Sequence, residues 1–395
     1  MPASARLRLL TGRTPLSVCA DSRCIRCVLL LAAVAALMTA CATLGYYTQS
    51  ASGQLDVMSR RQPVDELIDD PATDPGLRRK LKAVTEIRHF ASDMLALPDN
   101  GSYTLYADIG RPFVVWNVFA APELSLELKT WCYPFAGCVA YRGYFSEADA
   151  GRFASDLRQQ GYDVYSGGVT AYSTLGWFDD PVLNTVIDFS EARLAGLIFH
   201  ELAHQKLYVA GDTAFNESFA TAVELAGVEA WLAQRDDAGA SRDYRRFHER
   251  QAAFYALVAQ TREQLLAVYA SDISDSEKRQ EKQRLIGAMR AGYAAMKRDG
   301  GGESNYDAWF ARDINNAQLA ATAAYREYLP AFQQLLQQAA GDFETFYSLA
   351  AEIGRLPVEA RSRRLRTIME AGSGGAGVTH APAAVPGYGP RPDPA

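Results

Sequence analysis

Residues Leu194–Gln205 read Leu-Ala-Gly-Leu-Ile-Phe-His-Glu-Leu-Ala-His-Gln, a composition typical of a buried helix. Within this run His200 and His204 stand four residues apart, so they share one face of the helix, and Glu201 lies beside them. Both imidazoles can therefore reach one ion, and Glu201 can hold a water molecule bound to it. Buried polar groups need a partner, and one zinc ion would satisfy all three side chains.

The segment after His204 contains a candidate for the third ligand that a catalytic zinc site requires. The chain breaks at Gly211 and resumes as a helix with Glu217 in its first turns. Two helices joined by a short turn lie side by side, so Glu217 is predicted to face the histidines. The alternative is a solvated carboxylate that stabilises a helix N-terminus. Two further candidates for supporting or substrate contacts lie on the same helix face: Thr221 and Glu224.

These two motifs resemble those of the gluzincin metallopeptidases. Residues 200–205 and 216–220, with a later Glu, are similar to the zinc motifs of neutral zinc aminopeptidases. The resemblance implies that Glu201 is the general base and that the ligands of one zinc ion are His200, His204 and Glu217. Thermolysin-like members carry Asp where this chain has Thr221, so the residue that supports a histidine ligand is left open.

A closer resemblance, covering most of the chain, is to a family of predicted zinc aminopeptidases found as bacterial lipoproteins. It rests on residues 97–103, 115–118, 130–144 and 172–181. It implies zinc-dependent peptide hydrolysis in the cell envelope. It also implies an α+β fold, mainly helical and gluzincin-like, with a small antiparallel sheet ahead of the His-Glu-x-x-His helix. The alternative is a non-catalytic, zinc-stabilised envelope lipoprotein that acts as a binding or scaffold module.

Residues 1–40 are predicted to be a lipoprotein signal peptide. Arginines precede an apolar run of about a dozen residues, which is too short to span a membrane. The run ends Leu37-Met38-Thr39-Ala40-Cys41, and its resemblance to a lipobox implies cleavage after Ala40 and a lipid anchor on Cys41. Ala42 then favours the periplasmic face of the outer membrane. The alternative is an ordinary cleaved signal peptide and a soluble periplasmic protein.

Composition and cysteine usage agree with an exported globular protein. The chain is 48% hydrophobic and 22% charged, which is ordinary for a protein with a sizeable core. Its net charge of −6 argues against a nucleic-acid partner. Beyond the signal peptide and Cys41 only Cys132 and Cys138 remain. In an oxidising compartment they are predicted to form a disulfide, with two buried thiols as the alternative.

The rest of the chain divides by composition and periodicity. We expect an N-terminal helical segment over 41–110 and a peptidase core over 111–370, which is β-rich over 111–180 and helical over 188–370. Residues 371–395 are rich in Gly, Ala and Pro and are predicted to be a disordered tail.

The segment before the zinc helix is predicted to contain a hairpin. Its arms would be Tyr162–Tyr165 and Val169–Leu175, joined at Gly167. By analogy with gluzincins, Ala171–Gly176, which includes Tyr172, is the candidate strand for binding an extended peptide. An ordinary hairpin arm is the alternative.

Three further sets of residues bear on substrate binding. Asn316 and Tyr325 are candidates for donating to the oxyanion of a tetrahedral intermediate, with a helix cap and a core tyrosine as the alternatives. An aminopeptidase also needs an acidic group for the substrate amine, and the candidates are Glu123, Asp179 and Asp180. His248 lies in a strongly charged run and is predicted to be on a solvated face, outside the site.

Overall fold

The computed structural model describes residues 45–133, 137–299, 306–323 and 327–373. The predicted signal peptide, Cys41, Tyr325 and most of the predicted tail lie outside the described residues. The chain divides into two compact units, residues 1–51 and 52–395. Of the first unit only residues 45–51 are described, and they belong to a helix. Apart from this helical segment, all that follows concerns the second unit.

Helices dominate the described residues. In chain order they are α1 (45–59), α2 (Val64–Asp69), α3 (Pro75–Asp93), α4 (Glu147–Gln159), α5 (Asn184–Ile187), α6 (Glu191–Lys206), α7 (Thr213–Gln234), α8 (Ala238–Ala270), α9 (Asp275–Asp299), α10 (Asp307–Ala311), α11 (Asn316–Ala323), α12 (Leu329–Gln338), α13 (Phe343–Gly354) and α14 (Val358–Ser373). Within this part of the chain, no helix has both the length and the apolar character needed to cross a membrane.

The strands are short and form three small sheets. They are β1 (Arg61–Pro63), β2 (Leu105–Ala107), β3 (Val115–Pro122), β4 (Trp131–Tyr133), β5 (Gly137–Val139), β6 (Arg142–Tyr144), β7 (Tyr162–Val169) and β8 (Val182–Leu183). The sheet orders are β1-β2-β8, β6-β3-β7 and β4-β5, and all pairs are antiparallel except β2 with β8. The predicted α+β class, mainly helical with small antiparallel sheets ahead of the His-Glu-x-x-His helix, is confirmed.

The predicted hairpin around Gly167 is wrong. β7 is one continuous strand that pairs with β3 along its whole length, from Tyr162 opposite Pro122 to Val169 opposite Val115. The glycines of β7 do not form a turn. Gly168 leaves room for the ring of Phe113, because a Cβ at this position would lie 2.3 Å from that ring. Residues 171–176, the expected substrate strand, have no strand structure, because the chain leaves the sheet after Val169.

The core is centred on α6 and α7. It includes residues from the N-terminal helical segment, 41–110, and from the segment after it. Phe90 of α3 packs against Phe199 of α6 and Trp231 of α7, with ring centroids 5.8 and 5.1 Å apart. A Cβ at Gly227 would lie 2.7 Å from a methyl carbon of Leu95, so the glycine permits this close packing. The helix that carries the histidines is therefore enclosed by its neighbours.

The C-terminal helices cover the other side of α7. Phe219 of α7 stacks on Phe346 of α13 at 5.6 Å, and Phe215 meets Phe332 of α12 edge-on at 5.0 Å. Because all four rings are fully buried, the first turns of α7 are held by aromatic packing. These are the turns in which the third ligand was predicted.

The placement of His248 on a solvated face is wrong. It lies on α8 and is 2% exposed, with its ring 4.0 Å from the ring of Tyr244. Tyr244, His248 and Gln251 are all buried and recur at helical spacing, so this stripe faces the protein although charged residues surround it in sequence.

Candidate metal centre

Helix α6 carries three of the predicted site residues into the core. Ser190 caps its first turn by accepting a hydrogen bond from the backbone N–H of Arg193. The helix is buried on every side near its C-terminal half, as its apolar composition predicts. His200, Glu201 and His204 are 4%, 4% and 7% exposed.

Side-chain contacts fix the turn between α6 and α7, and the turn directs Glu217 of α7 toward the histidines. The side-chain amide of Asn216 donates to the carbonyl of Val209, and its oxygen accepts from the N–H of the same residue, at 2.8 and 2.7 Å. Asp212 caps α7 and forms an almost fully buried ion pair with Arg361 of α14, 2.7 Å between the closest atoms. Both contacts precede Glu217 by a few residues, so they determine the direction in which α7 begins.

The three predicted ligands converge. Nε2 of His204 lies 3.2 Å from Nε2 of His200, and the Glu217 carboxylate lies 3.4 Å from His200 and 3.8 Å from His204. Ligand atoms held 2.0–2.2 Å from one tetrahedral ion lie about 3.3–3.6 Å from each other. The separations therefore fit a metal ion without large rearrangement, and the two buried histidines and the half-buried Glu217 form a group able to bind one.

Glu224 supports one of the histidines. Its carboxylate lies 3.0 Å from Nδ1 of His200, on the far side of the ring from Glu217. A metal-binding histidine commonly donates its second ring N–H to a carboxylate, which orients the ring and fixes its tautomer. Glu224 therefore fills the role that the sequence left open at Thr221, which is buried in α7.

A glycine makes room for this contact. A Cβ on Gly196 would lie 2.9 Å from a carboxylate oxygen of Glu224 and 3.2 Å from its Cγ. Gly196 precedes His200 by four residues, so both lie on one face of α6. The sequence signal for the close approach of Glu224 to α6 was a glycine four positions before His200.

Without a metal ion the two histidines differ in protonation. Burial would lower the pKa of His200, but hydrogen bonds to Glu217 and Glu224 outweigh it and hold that pKa well above its usual value. Burial lowers the pKa of His204 to about 4, against a weaker opposing effect of the Glu217 carboxylate. Protonated His200 lowers the pKa of Glu217 in spite of burial. A divalent cation would replace the proton that this cluster holds.

The side of α6 that carries Glu201 is covered by residues 98–103. Arg88 is buried and donates to the carbonyls of Pro98, Asn100 and Ser102. Asn100 also donates to the side chain of Gln205, which in turn donates to the hydroxyl of Ser102. This segment is thus joined to the residue directly after His204.

Tyr103 ends this segment in a strained conformation. Its φ of 65° lies in the left-handed region, which is rare for a bulky side chain. Its phenol is 3% exposed and has no hydrogen-bond partner among the described residues. Burial and the charges of Glu201 and Asp180 raise its pKa well above its usual value. The general-base candidate and Tyr103 are therefore close enough to interact.

Tyr208 was not identified from the sequence. Its ring lies edge-on to that of His204, 6.5 Å between centroids, and is 42% exposed. Burial of part of the ring and the Glu217 carboxylate raise the pKa of its phenol. The only sequence signal was its position four residues after His204, just beyond the end of α6.

A comparison with protein families agrees with this site. A family model described as "Putative aminopeptidase" matches residues 45–365. The chain belongs to this family. The match spans both motif helices and the loops around them, and it supports a peptidase-like function. No curated protein and no solved structure matches the chain.

The remaining predicted site residues form hydrogen bonds with other parts of the protein. Asn316 is buried, and its amide donates to the carbonyls of Pro122 and Glu123 while its oxygen accepts from the phenol of Tyr269. Both amide hydrogens are engaged, so Asn316 joins α11 to the end of β3 instead of donating to an intermediate. The hydroxyl of Tyr172 donates to Gln54.

The three acidic candidates for the substrate amine differ sharply. Glu123 forms a bidentate ion pair with Arg279, which lowers its pKa. Asp180 is 5% exposed and accepts from the backbone N–H of Thr174. Asp179 is exposed and lies against Gly101, where a Cβ would meet its carboxylate at 2.4 Å.

Cys132 and Cys138, on the paired strands β4 and β5, are joined by a disulfide.

Proposed function

We propose that this protein is a zinc-dependent peptidase of the cell envelope that acts as an aminopeptidase. One observation carries the proposal: His200, His204 and Glu217 converge at separations suited to a tetrahedral ion, with Glu201 next to them on α6. Membership of the aminopeptidase family supports the same reaction class.

The donor set favours zinc. Two imidazoles and one carboxylate, leaving one position open, are the ligands of catalytic zinc in several peptidases. When bound, zinc supplies a Lewis acid that polarises the scissile carbonyl and lowers the pKa of a water molecule. Glu224 would keep the Nδ1 proton on His200, so that Nε2 remains available to the metal.

Two other side chains have roles in the reaction. Glu201 would take a proton from the attacking water and deliver it to the leaving amine. Tyr208 lies partly exposed beside His204, and its phenol is a candidate donor to the oxyanion that develops on the scissile carbonyl. This role of Tyr208 predicts that Tyr208→Phe lowers kcat more than it raises KM.

The aminopeptidase assignment depends on an acidic group for the substrate amine. Of the three acidic candidates Asp179 is the exposed one whose carboxylate forms no ion pair with a described residue, although Arg61 donates to its backbone carbonyl. Its carboxylate adjoins Gly101, and the neighbouring Asn100 donates to Gln205. If Asp179 binds the amine, an N-acetylated peptide should be cleaved much more slowly than the free peptide. Asp179→Asn should reduce that difference.

The decisive experiment measures metal content and hydrolysis together. Wild-type protein should hold one zinc ion and digest a peptide library, and His204→Ala should lose both properties. Glu201→Gln should keep zinc and lose about 10²–10⁴-fold in kcat. Glu191→Gln, an exposed change in the first turn of the same helix, is the matched control. Zinc without hydrolysis in wild type would instead favour the structural-zinc alternative.

We also propose that the mature protein begins at Cys41 and is held by its lipid at the periplasmic face of the outer membrane. The support is the sequence before Cys41. Mass spectrometry of the mature N-terminus tests it, and Cys41→Ser should release the protein from the membrane fraction.

A further inference from the structure

We propose that residues 174–178, called here the aromatic loop, bind an apolar side chain flanking the scissile bond of the peptide substrate. The inference rests on the proposed peptidase function and adds a substrate class to it. Its support is the exposure of the loop, its rigidity and its position beside Glu201.

The aromatic loop exposes residues that are normally buried. Trp177 is 76% exposed and Phe178 is 44% exposed, and Leu175 beside them is 36% exposed. The other tryptophans of the chain are buried or half-buried. Adjacent exposed apolar side chains of this size commonly mark a binding surface.

The loop is held in one conformation. The hydroxyl of Thr174 accepts from the N–H of Phe178 and donates to its carbonyl, both at 3.1 Å. The N–H of Trp177 donates to the carbonyl of Thr174, and buried Asp180 accepts from the N–H of Thr174 at 2.9 Å. These bonds fix the backbone on both sides of Trp177, whose side chain is exposed.

Backbone strain in the aromatic loop also indicates a binding surface. Leu175 has a φ of 55° and Gly176 a φ of 80°, so two consecutive residues occupy the left-handed region. For a leucine this conformation is unfavourable and persists only where surrounding contacts enforce it. Such strain is concentrated at binding and catalytic sites.

The loop lies against the face of α6 that carries the general base. A Cβ on Gly176 would lie 3.8 Å from the side-chain oxygen of Gln205. Gln205 follows Glu201 by four residues, so the two side chains share one helix face. The aromatic loop therefore lies about one helical turn from Glu201. At this distance its rings can reach a substrate side chain next to the bond that Glu201 would act on.

The chemistry of the loop selects an apolar group. Residues 173–178 contain no charged side chain. The exposed carboxylate of Asp179, which follows them, is assigned above to the substrate amine, so the aromatic loop itself offers no counter-charge to a substrate side chain. An aromatic surface gains free energy by removing an aliphatic or aromatic side chain from water. A peptide with Leu or Phe at this position should therefore bind better than one with Ser.

The test uses binding, so that it does not depend on turnover. Full-length Glu201→Gln protein loaded with zinc is titrated by calorimetry with three peptides that differ only at one residue: leucine, serine or lysine. The leucine peptide should bind about tenfold more tightly than the serine peptide. It should also protect Trp177 from a fluorescence quencher.

Removing the indole should remove the preference. Adding Trp177→Ala should bring the leucine and serine affinities to within about twofold. Adding Leu266→Ala, which removes a 51% exposed apolar side chain from α8, should leave the tenfold ratio intact. Unfolding curves for both variants check that neither change disturbs the fold.

The remaining outcomes overturn the proposal. These are equal affinities in the parent protein, no measurable binding, tighter binding of the lysine peptide, or a preference that survives Trp177→Ala. A Trp177→Ala protein that loses only its binding to phosphatidylethanolamine–phosphatidylglycerol vesicles would assign the loop to a membrane surface. Failure of wild-type protein to hydrolyse peptides would defeat the proposed function, while the binding ratio would still decide the role of the loop.

Discussion

The two sides of the metal centre are built by different means. On the ligand side, the histidines and Glu217 lie on two long helices whose neighbours are fully buried aromatic residues. On the side proposed to bind substrate, called here the substrate side, residues 98–103 and 173–180 are loops held by side-chain hydrogen bonds. The ligand geometry therefore depends on the packing of the whole core. The substrate side depends on a few local polar contacts, which can be altered without unfolding the protein.

The largest expected effect is on the ligand side. Arg361→Met removes the partner of Asp212 and leaves a carboxylate with a 9% exposed side chain unpaired at the start of α7. Breaking a buried pair in this way costs about 3–5 kcal/mol. Denaturant unfolding measures the cost, and zinc affinity should fall with it because α7 positions Glu217. An unchanged zinc affinity at reduced stability would mean that the cap does not direct α7.

The metal-free protein should lose stability in mild acid. The pKa of His204 is about 4 in the folded state and near 6.5 when unfolded, so the unfolded chain takes up the proton first. Stability should therefore decline as pH falls from about 6.5 to about 4, by up to about 3 kcal/mol at about 1.4 kcal/mol per pKa unit. Unfolding of chelator-treated protein across this range measures it. The decline should be smaller in His204→Gln, and equal slopes would contradict the assignment.

On the substrate side, Arg88→Met should separate activity from metal binding. It removes hydrogen bonds to three backbone carbonyls of residues 98–102, at a cost of about 2–3 kcal/mol. We expect kcat/KM to fall at least tenfold while zinc stoichiometry remains one. Loss of zinc in a folded variant would show that the two sides are not independent.

A smaller effect tests the support of His200. Gly196→Ala places a methyl group 2.9 Å from one carboxylate oxygen of Glu224 and 3.2 Å from its Cγ, so the side chain must shift and we expect its contact with His200 to weaken. Loss of such a supporting carboxylate typically weakens metal affinity by 10–100-fold. Competition with a chelator measures the affinity, and Gly287→Ala, whose added Cβ would meet nothing within 4 Å, is the control. Equal affinities in the two variants would argue against the role of Glu224.

The sequence predicted the ligand side better than the substrate side. The spacing of His200 and His204 and the apolar run around them indicated a buried helix with both imidazoles on one face. The substrate strand was placed wrongly because residues 171–176 have strand composition but leave the sheet. Tyr208 follows His204 by four residues but lies beyond the end of α6, so helical spacing did not identify it. Loop residues are positioned by partners such as Arg88, which is distant in sequence, so no local pattern identifies them.

What the sequence by itself determined was the kind of donor atoms, their spacing along α6 and the burial of that helix, because these follow from the helical repeat and from composition. Only the tertiary structure decided that Glu217 meets both imidazoles, that Glu224 and not Thr221 supports His200, and that the loop of the exposed Trp177 lies against Gln205 through Gly176. These distances join separate segments. They depend on how remote residues such as Arg361, Phe346 and Gly196 pack, and no short stretch of sequence encodes that packing.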